Sequence, residues 1–172
     1  QAHSAEVGKS SYIVCPTVGF GHYGIGLEGA SASINAFLLG GDFMYLHFSG
    51  LTAFANLQGV IGKMGVKGEG ASGGKLSASG LDINAFVGYS WIFAQQHILS
   101  IAGGLQGTFF LSELVKLRFI RPGIKLAYSY KFTKLMGIMV SLTSSFNYLK
   151  LVDLETIKMN SFEIKVGPSF SF

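Results

Sequence analysis

A single cysteine, Cys15, stands in a chain of 172 residues, so no intrachain disulfide can form and no Cys/His metal cluster can be assembled. Charge is scarce as well. Only 13% of the residues are charged against 49% hydrophobic, where a soluble domain carries about a quarter charged residues. The mean hydropathy of +0.44 points the same way, to a membrane. Proline is limited to 3 residues, and the 24 glycines follow no fixed period, which excludes collagen-like and disordered chains. Basic runs are missing too. The net charge is +4 and the pI about 9.2, yet the 13 Lys and Arg are scattered singly, so no nucleic-acid partner is expected. The opening Gln1-Ala2-His3-Ser4 has neither a basic n-region nor an apolar h-region. If the protein is exported, its signal peptide has been removed. One domain over residues 1–172 accounts for the length.

Two segments, 43–62 and 83–112, contain no Asp, Glu, Lys or Arg, and each is long enough to cross a bilayer as a helix. Their order argues against it. Polar residues enter at alternate positions, a period of two rather than 3.6. From Leu81 one face reads Leu81, Ile83, Ala85, Val87, Tyr89, Trp91, Phe93, and the other Asp82, Asn84, Phe86, Gly88, Ser90, Ile92. After a turn at 94–97, Leu99, Ile101, Leu105 and Phe109 alternate with Ser100, Ala102, Gln106 and Thr108. Ile120, Pro122, Ile124, Leu126, Tyr128 and Tyr130 alternate with Arg121, Gly123, Lys125, Ala127, Ser129 and Lys131. The chain ends with Phe162, Ile164, Val166, Pro168, Phe170 and Phe172 against Glu163, Lys165, Gly167, Ser169 and Ser171.

A soluble sandwich would alternate in the same way with its apolar face inward, so the sidedness needs a separate argument. The aromatics supply it. Tyr89, Trp91 and Phe93, and Tyr128 and Tyr130, cluster at the ends of their strands, as an interfacial girdle requires. Asp82, Arg121, Lys125, Glu163 and Lys165 all share the small, polar face. A Lys or Arg facing lipid at mid-depth costs about 2–4 kcal/mol, so the greasy face is the one turned to lipid. Four weaker strands, near 11–22, 30–39, 43–57 and 135–149, bring the count to eight, with the second and third apolar on both faces. The fold expected is all-β, a transmembrane antiparallel up-and-down barrel of about eight strands.

Short connections at 40–42, 94–97 and 131–134 alternate with longer segments at 23–29, 58–75, 112–118 and 150–160, of which 62–75 is glycine-rich and reads as a surface loop. Short periplasmic turns and longer outer loops would place both termini in the periplasm. The lysine at 75 lacks the spacing of a phosphate-binding loop.

The closing Phe162, Ile164, Val166, Phe170 and Phe172 resemble the terminal strand signature that the outer-membrane assembly machinery recognises. With the strand plan, they make the chain resemble the small eight-stranded outer-membrane barrels that include the OmpA membrane domain, OmpX and OmpW. Pro168 departs from that pattern and is tolerable only where its missing N–H has no partner, or at a bulge. The resemblance implies a bacterial outer-membrane location, contact with outer-membrane lipid and the assembly machinery, and no cofactor. OmpW-like barrels imply passage or binding of small hydrophobic molecules; OmpX-like ones imply a closed, structural or adhesive barrel.

Eight-stranded interiors are filled by side chains or hold one small ligand, so a wide pore is not expected. Asp82, Arg121, Lys125, Glu163 and Lys165 are the candidate lumen network, with Lys125 facing Glu163 across the interior, and inward glycines at 88, 104, 123, 137 and 167 suggest local space. His47 and Ser49 share a spacing with a barrel lipid deacylase. That chemistry needs an orienting carboxylate, and Glu28 and Asp42 are nearest in sequence without a clear place beside them. The expectation is therefore no enzyme, no catalytic residue and no metal site, with His3, His22 and His97 in tail, loop and turn.

Overall fold

The computed structural model describes residues 9–27, 30–68, 75–111, 116–146 and 158–172. They form eight strands: β1 (Ser11–Leu27), β2 (Ala30–Leu46), β3 (Leu51–Gly68), β4 (Lys75–Phe93), β5 (His97–Leu111), β6 (Lys116–Lys131), β7 (Met136–Ser145) and β8 (Lys158–Ser171). Each pairs antiparallel with its neighbours in sequence, and β1 closes on β8. Closure leaves no free edge, which is what a strand-built wall in hydrocarbon requires. From Val18 the paired residues run one way round through Leu39, Gly59, Leu81 and Phe109 to Arg118 on β6, and the other way through Val166 and Val140 to Tyr128. The ten-residue stagger between Arg118 and Tyr128 tilts the strands by about 40° from the barrel axis.

Three reversals, at 47–50, 94–96 and 132–135, lie at the same end of the barrel as Ser11 and Phe172. The second and third fall where alternation breaks in the sequence; the first does not. Gly40-Gly41-Asp42, expected as a turn, lies inside β2, which continues to Leu46. Its true reversal uses Gly50, whose φ of +93° needs glycine, and whose Cβ would meet the Tyr89 ring at 2.5 Å. At the second turn Ala94 and Gln95 have φ of 47° and 62°, and Gln96 N–H donates to Phe93 O at 3.3 Å. Left-handed backbone costs a non-glycine residue about 1 kcal/mol or more. Gln95→Gly is expected to raise stability by about 1 kcal/mol, read from urea midpoints in lipid vesicles.

The seam holds two prolines. β1 and β8 pair from Ile13 to Val14 and again from Val18, leaving Pro16 and Pro168 in the interruption. Neither can donate, so the ladder is broken where nothing is lost twice. Beyond the break, Phe172 and Tyr12 exchange backbone hydrogen bonds of 2.8 and 3.1 Å and lock the ends together.

The apolar faces of the strands point outward, and the charged faces inward. Phe20, Leu39, Ile83, Ile101, Ile124 and Ile164 are exposed, while Asp82, Arg121, Lys125, Glu163 and Lys165 are almost wholly buried. From Trp91 to Leu81, ten residues along β4, the belt climbs about 25 Å, the height of an outer-membrane apolar band. The wall does not stop there. Segments 23–27, 58–68 and 116–118, expected as outer loops, continue as strand, as does the start of β4 at Lys75, whereas 69–74 lies outside the described residues.

Above the belt the two faces exchange character. On β2, Phe37, Leu39 and Phe43 face out below the boundary; above it Asn35 and Ser31 face out, and Ile34 and Ala32 are buried inside. On β3, Leu57 and Ile61 give way to Lys63 and Lys67 outside, with Met64 and Val66 packed within. His22, expected in a loop, is an exposed strand residue of β1 just above Phe20. The upper part of the barrel therefore has the inside-out logic of a soluble β-barrel, while the lower part has that of a membrane wall.

Candidate functional site

The lumen is built in tiers. Nearest the short turns, Ile13, Met44, Leu46, Phe54, Phe86, Ile98 and Met139 pack together. Inward glycines let these walls come close rather than leaving the space expected of them. A Cβ on Gly88 would lie 1.9 Å from Ile101 O, one on Gly104 2.0 Å from Ala85 O, and one on Gly167 1.7 Å from Pro16 O. Backbone occupies the volume.

The next tier centres on Asp42, between Tyr45 and Phe37 at the two ends of the belt on β2. Its carboxylate meets Lys125 Nζ at 2.7 Å and Lys165 Nζ at 3.1 Å, with all three side chains about 1% exposed. Asn56 Nδ2 donates to the same carboxylate, and Asn84 Nδ2 donates to Asn56 Oδ1 at 2.9 Å. Lys125 also lies over the Phe54 ring, 5.0 Å from its centre. One carboxylate thus serves two buried ammonium groups. The pairing expected between Lys125 and Glu163 is not the one formed, because Asp42 reaches Lys125 from β2.

A third tier lies under the upper edge of the belt. Asp82 and Glu163 share three donors: the Tyr23 hydroxyl at 2.8 and 2.9 Å, the Gln58 amide at 2.9 and 3.0 Å, and the Gln106 amide. A hydroxyl carries one hydrogen and can donate to only one of these carboxyl groups at a time. Arg121 turns its fork to hydroxyls instead: Thr108 at 2.8 Å, Ser161 at 2.9 Å and Ser145 at 2.5 Å. Its Cζ stands 5.7 Å from the centre of the Tyr23 ring. Three cations and three acids therefore fill two consecutive levels with side chains that are nearly inaccessible.

Above this plug the interior is apolar: Tyr23, Ile25, Ile34, Leu38, Phe110 and Met159 are buried, with Met64, Val66 and Phe119 packed half-buried on them. Asp42, Tyr23, Gln58 and Gln106 escaped the sequence reading of the site. Tyr23, Asp42 and Gln58 fall in segments assigned to loop or turn, and Gln106, although on a recognised strand, carried no charge to single it out.

Of the residues expected as a girdle, Tyr89, Trp91, Phe93 and Tyr128 are exposed on the outer surface and Tyr130 is half-buried; the Tyr12 and Tyr45 rings lie 5.2 Å apart, tilted at 43°. Of the terminal signature, Phe162, Ile164, Val166 and Phe172 are exposed and Phe170 is half-buried. His47 and Ser49 sit in the first turn, 2.8 Å apart; Asp42 is committed to the lysines inside, and Glu28 lies outside the described residues. His97 opens β5 and bonds to Tyr128 OH at 2.6 Å.

The sequence matches, over residues 3–172, the family described as "Domain of unknown function (DUF2715)". No curated protein sequence matches it. Among solved structures the chain is similar to outer membrane protein OprG from Pseudomonas aeruginosa, at 13% identity over 100% of this chain and 99% of that one, with a TM-score of 0.72. It is similar to Neisserial surface protein A at 13% identity, over 95% and 99% of the two chains, with a TM-score of 0.60. It is also similar to outer membrane protein AlkL in DMPC lipid bilayers at 13% identity, over 100% and 94%, with a TM-score of 0.56. At these identities the likeness is one of fold, that of the small eight-stranded outer-membrane barrels.

Proposed function

This chain belongs to the DUF2715 family, and from that premise and the barrel's geometry we propose that it is a bacterial outer-membrane barrel whose lumen is closed, and whose work is done at the rim raised above the membrane. The observation that carries this reading is the double plug. Asp42 with Lys125 and Lys165, then Asp82 and Glu163 with Tyr23, Gln58 and Gln106, fill two levels of the interior with bonded side chains that are almost wholly buried. Buried ion pairs are held by the attraction of their partners, and separating them to admit a solute costs several kcal/mol. In this reading both termini and the short turns face the periplasm, and the terminal Phe172 carries the assembly signal. The barrel anchors a rim of strands that stands about 15 Å above the belt, judged from the six residues between Lys75 and Leu81 on β4.

A second reading, a binding barrel for one small hydrophobic molecule, is favoured by the apolar tier around Tyr23, Ile25, Phe110 and Met159 above the plug. It uses the same closed floor. Reconstitution into planar bilayers separates a closed barrel from a channel: the wild type is expected to give no stable conductance steps in molar salt. Reproducible unitary conductance from folded, heat-modifiable protein would contradict a sealed lumen.

A further inference from the structure

Among the described residues, the charges on the exterior of the rim are all of one sign. Among the described residues all three acids, Asp42, Asp82 and Glu163, are inside the lumen, whereas Lys63, Lys67, Lys75 and Arg118 are exposed on the outer face above the belt. Three of these are neighbours. Gly65 pairs with Lys75, so Lys63 and Lys67, two residues to either side of Gly65, flank Lys75 across β3 and β4. The outward residues around them are small and polar: Ser31, Ser33 and Asn35 on β2 pair with Lys67, Gly65 and Lys63, and Ser77 on β4 pairs with Lys63. Among the described residues no large side chain pairs with these lysines on the outer face.

Beside this patch the outer wall holds a groove of about 410 Å³. Its floor and sides are Phe20, Phe37, Phe162 and Ile164, and its upper lip is the pair His22 and Asn35, bonded at 2.7 Å. His22, Asn35 and Lys63 are consecutive cross-strand partners, so the lip leads onto the first lysine within about 10 Å. A greasy groove at the top of the belt, a polar lip at its edge and cations beyond match, in order, the acyl chain, linkage region and phosphate of one anionic lipid.

We propose that Lys63, Lys67 and Lys75 with this groove form a binding site for an anionic phospholipid, the headgroup phosphate held by the lysines and one acyl chain lying against Phe20, Phe37 and Phe162. The proposal rests on the membrane reading above. Lys63 stands two residues above Ile61 at the edge of the belt, and flexible lysine stems can run down the wall from 67 and 75 toward a headgroup phosphate, where each cation near the surface strengthens attraction to anionic lipid several-fold at moderate salt.

The test is native mass spectrometry of the full chain released from nanodiscs containing equal dioleoyl-phosphatidylglycerol and dioleoyl-phosphatidylcholine. The wild type should retain the anionic lipid at least tenfold over the zwitterionic one. Lys63→Gln/Lys67→Gln/Lys75→Gln should bring the ratio near one, the triple change to arginine should keep it, and Arg118→Gln, outside the groove, should leave it intact. Inorganic phosphate and dihexanoyl-phosphatidylglycerol should displace the bound lipid poorly, since each supplies only part of the match. Equal retention by the wild type, an unchanged ratio in the glutamine variant, an equal loss in Arg118→Gln, or binding of soluble dextran sulfate without lipid preference would each overturn the site. Insertion into zwitterionic vesicles is scored separately: protein that inserts but shows no preference refutes the lipid site alone, and protein that does not insert refutes the membrane reading.

Discussion

Asp42→Asn should destabilise the barrel by about 3–5 kcal/mol, because it removes the one carboxylate, among the described residues, that is paired with two buried ammonium groups. Lys125 and Lys165 lie 2.7 and 3.1 Å from Asp42 and are as inaccessible as it is. The amide that replaces it still accepts a hydrogen bond but carries no charge to offset theirs. The loss should therefore shrink when the cations go too: Asp42→Leu with Lys125→Met and Lys165→Met is expected to recover most of the stability, as apolar replacement of a whole buried ionic group often does. Glu163→Gln provides the contrast. Glu163 shares its donors with Asp82, and the Tyr23 hydroxyl cannot serve both carboxyl groups with one hydrogen, so an amide that brings its own hydrogens should cost about 1 kcal/mol or less. Urea midpoints of the variants in lipid vesicles decide this. Equal losses for Asp42→Asn and Glu163→Gln would show that the charges are not partitioned as the contacts indicate.

Gly88→Ala should have an effect of the same order through a different cause. The added Cβ would sit 1.9 Å from Ile101 O and 2.5 Å from Ala102 Cα, both backbone atoms of the paired strand. No rotamer change relieves a clash with a neighbour's main chain, so β4 and β5 must part. A loss of about 3 kcal/mol or failure to fold is expected. Gly24→Ala is the control, since a Cβ there meets nothing within 4 Å. Folding yield by heat-modified gel mobility, with urea midpoints for whatever folds, should separate the two variants, and a well-folded Gly88→Ala barrel would refute the close approach.

The wall within the membrane was legible because its faces are chemically opposed. Along β4, β5, β6 and β8, apolar residues alternate with small or charged ones, the aromatics at the strand ends settle which face is turned to lipid, and the other face carries five of the six buried lumen charges. Asp42 was missed for a local reason. Gly40-Gly41-Asp42 has the composition of a turn, yet Gly40 is inward and its Cβ would meet Leu57 O at 2.2 Å, so this glycine serves strand contact. The rim was missed for a broader reason. Where β2 and β3 leave the belt, the apolar residues cross from the outer face to the inner one, at Ile34 and Met64. A period-two pattern whose phase inverts midway reads as an end to the strand, and the serines, glycines and lysines that then face outward read as loop.

That inversion is the central claim, and it can be measured residue by residue on one strand. In a Cys15→Ser background, spin labels placed singly at 55, 57, 61, 63, 65 and 67 on the outward face of β3 report collision with oxygen, which concentrates in lipid, or with a water-soluble nickel chelate. The account predicts that oxygen dominates at 55, 57 and 61 and the chelate at 63, 65 and 67, the crossover falling between Ile61 and Lys63. Chelate access at every position would contradict a membrane-embedded wall, and oxygen dominance through 67 would contradict a rim raised above it.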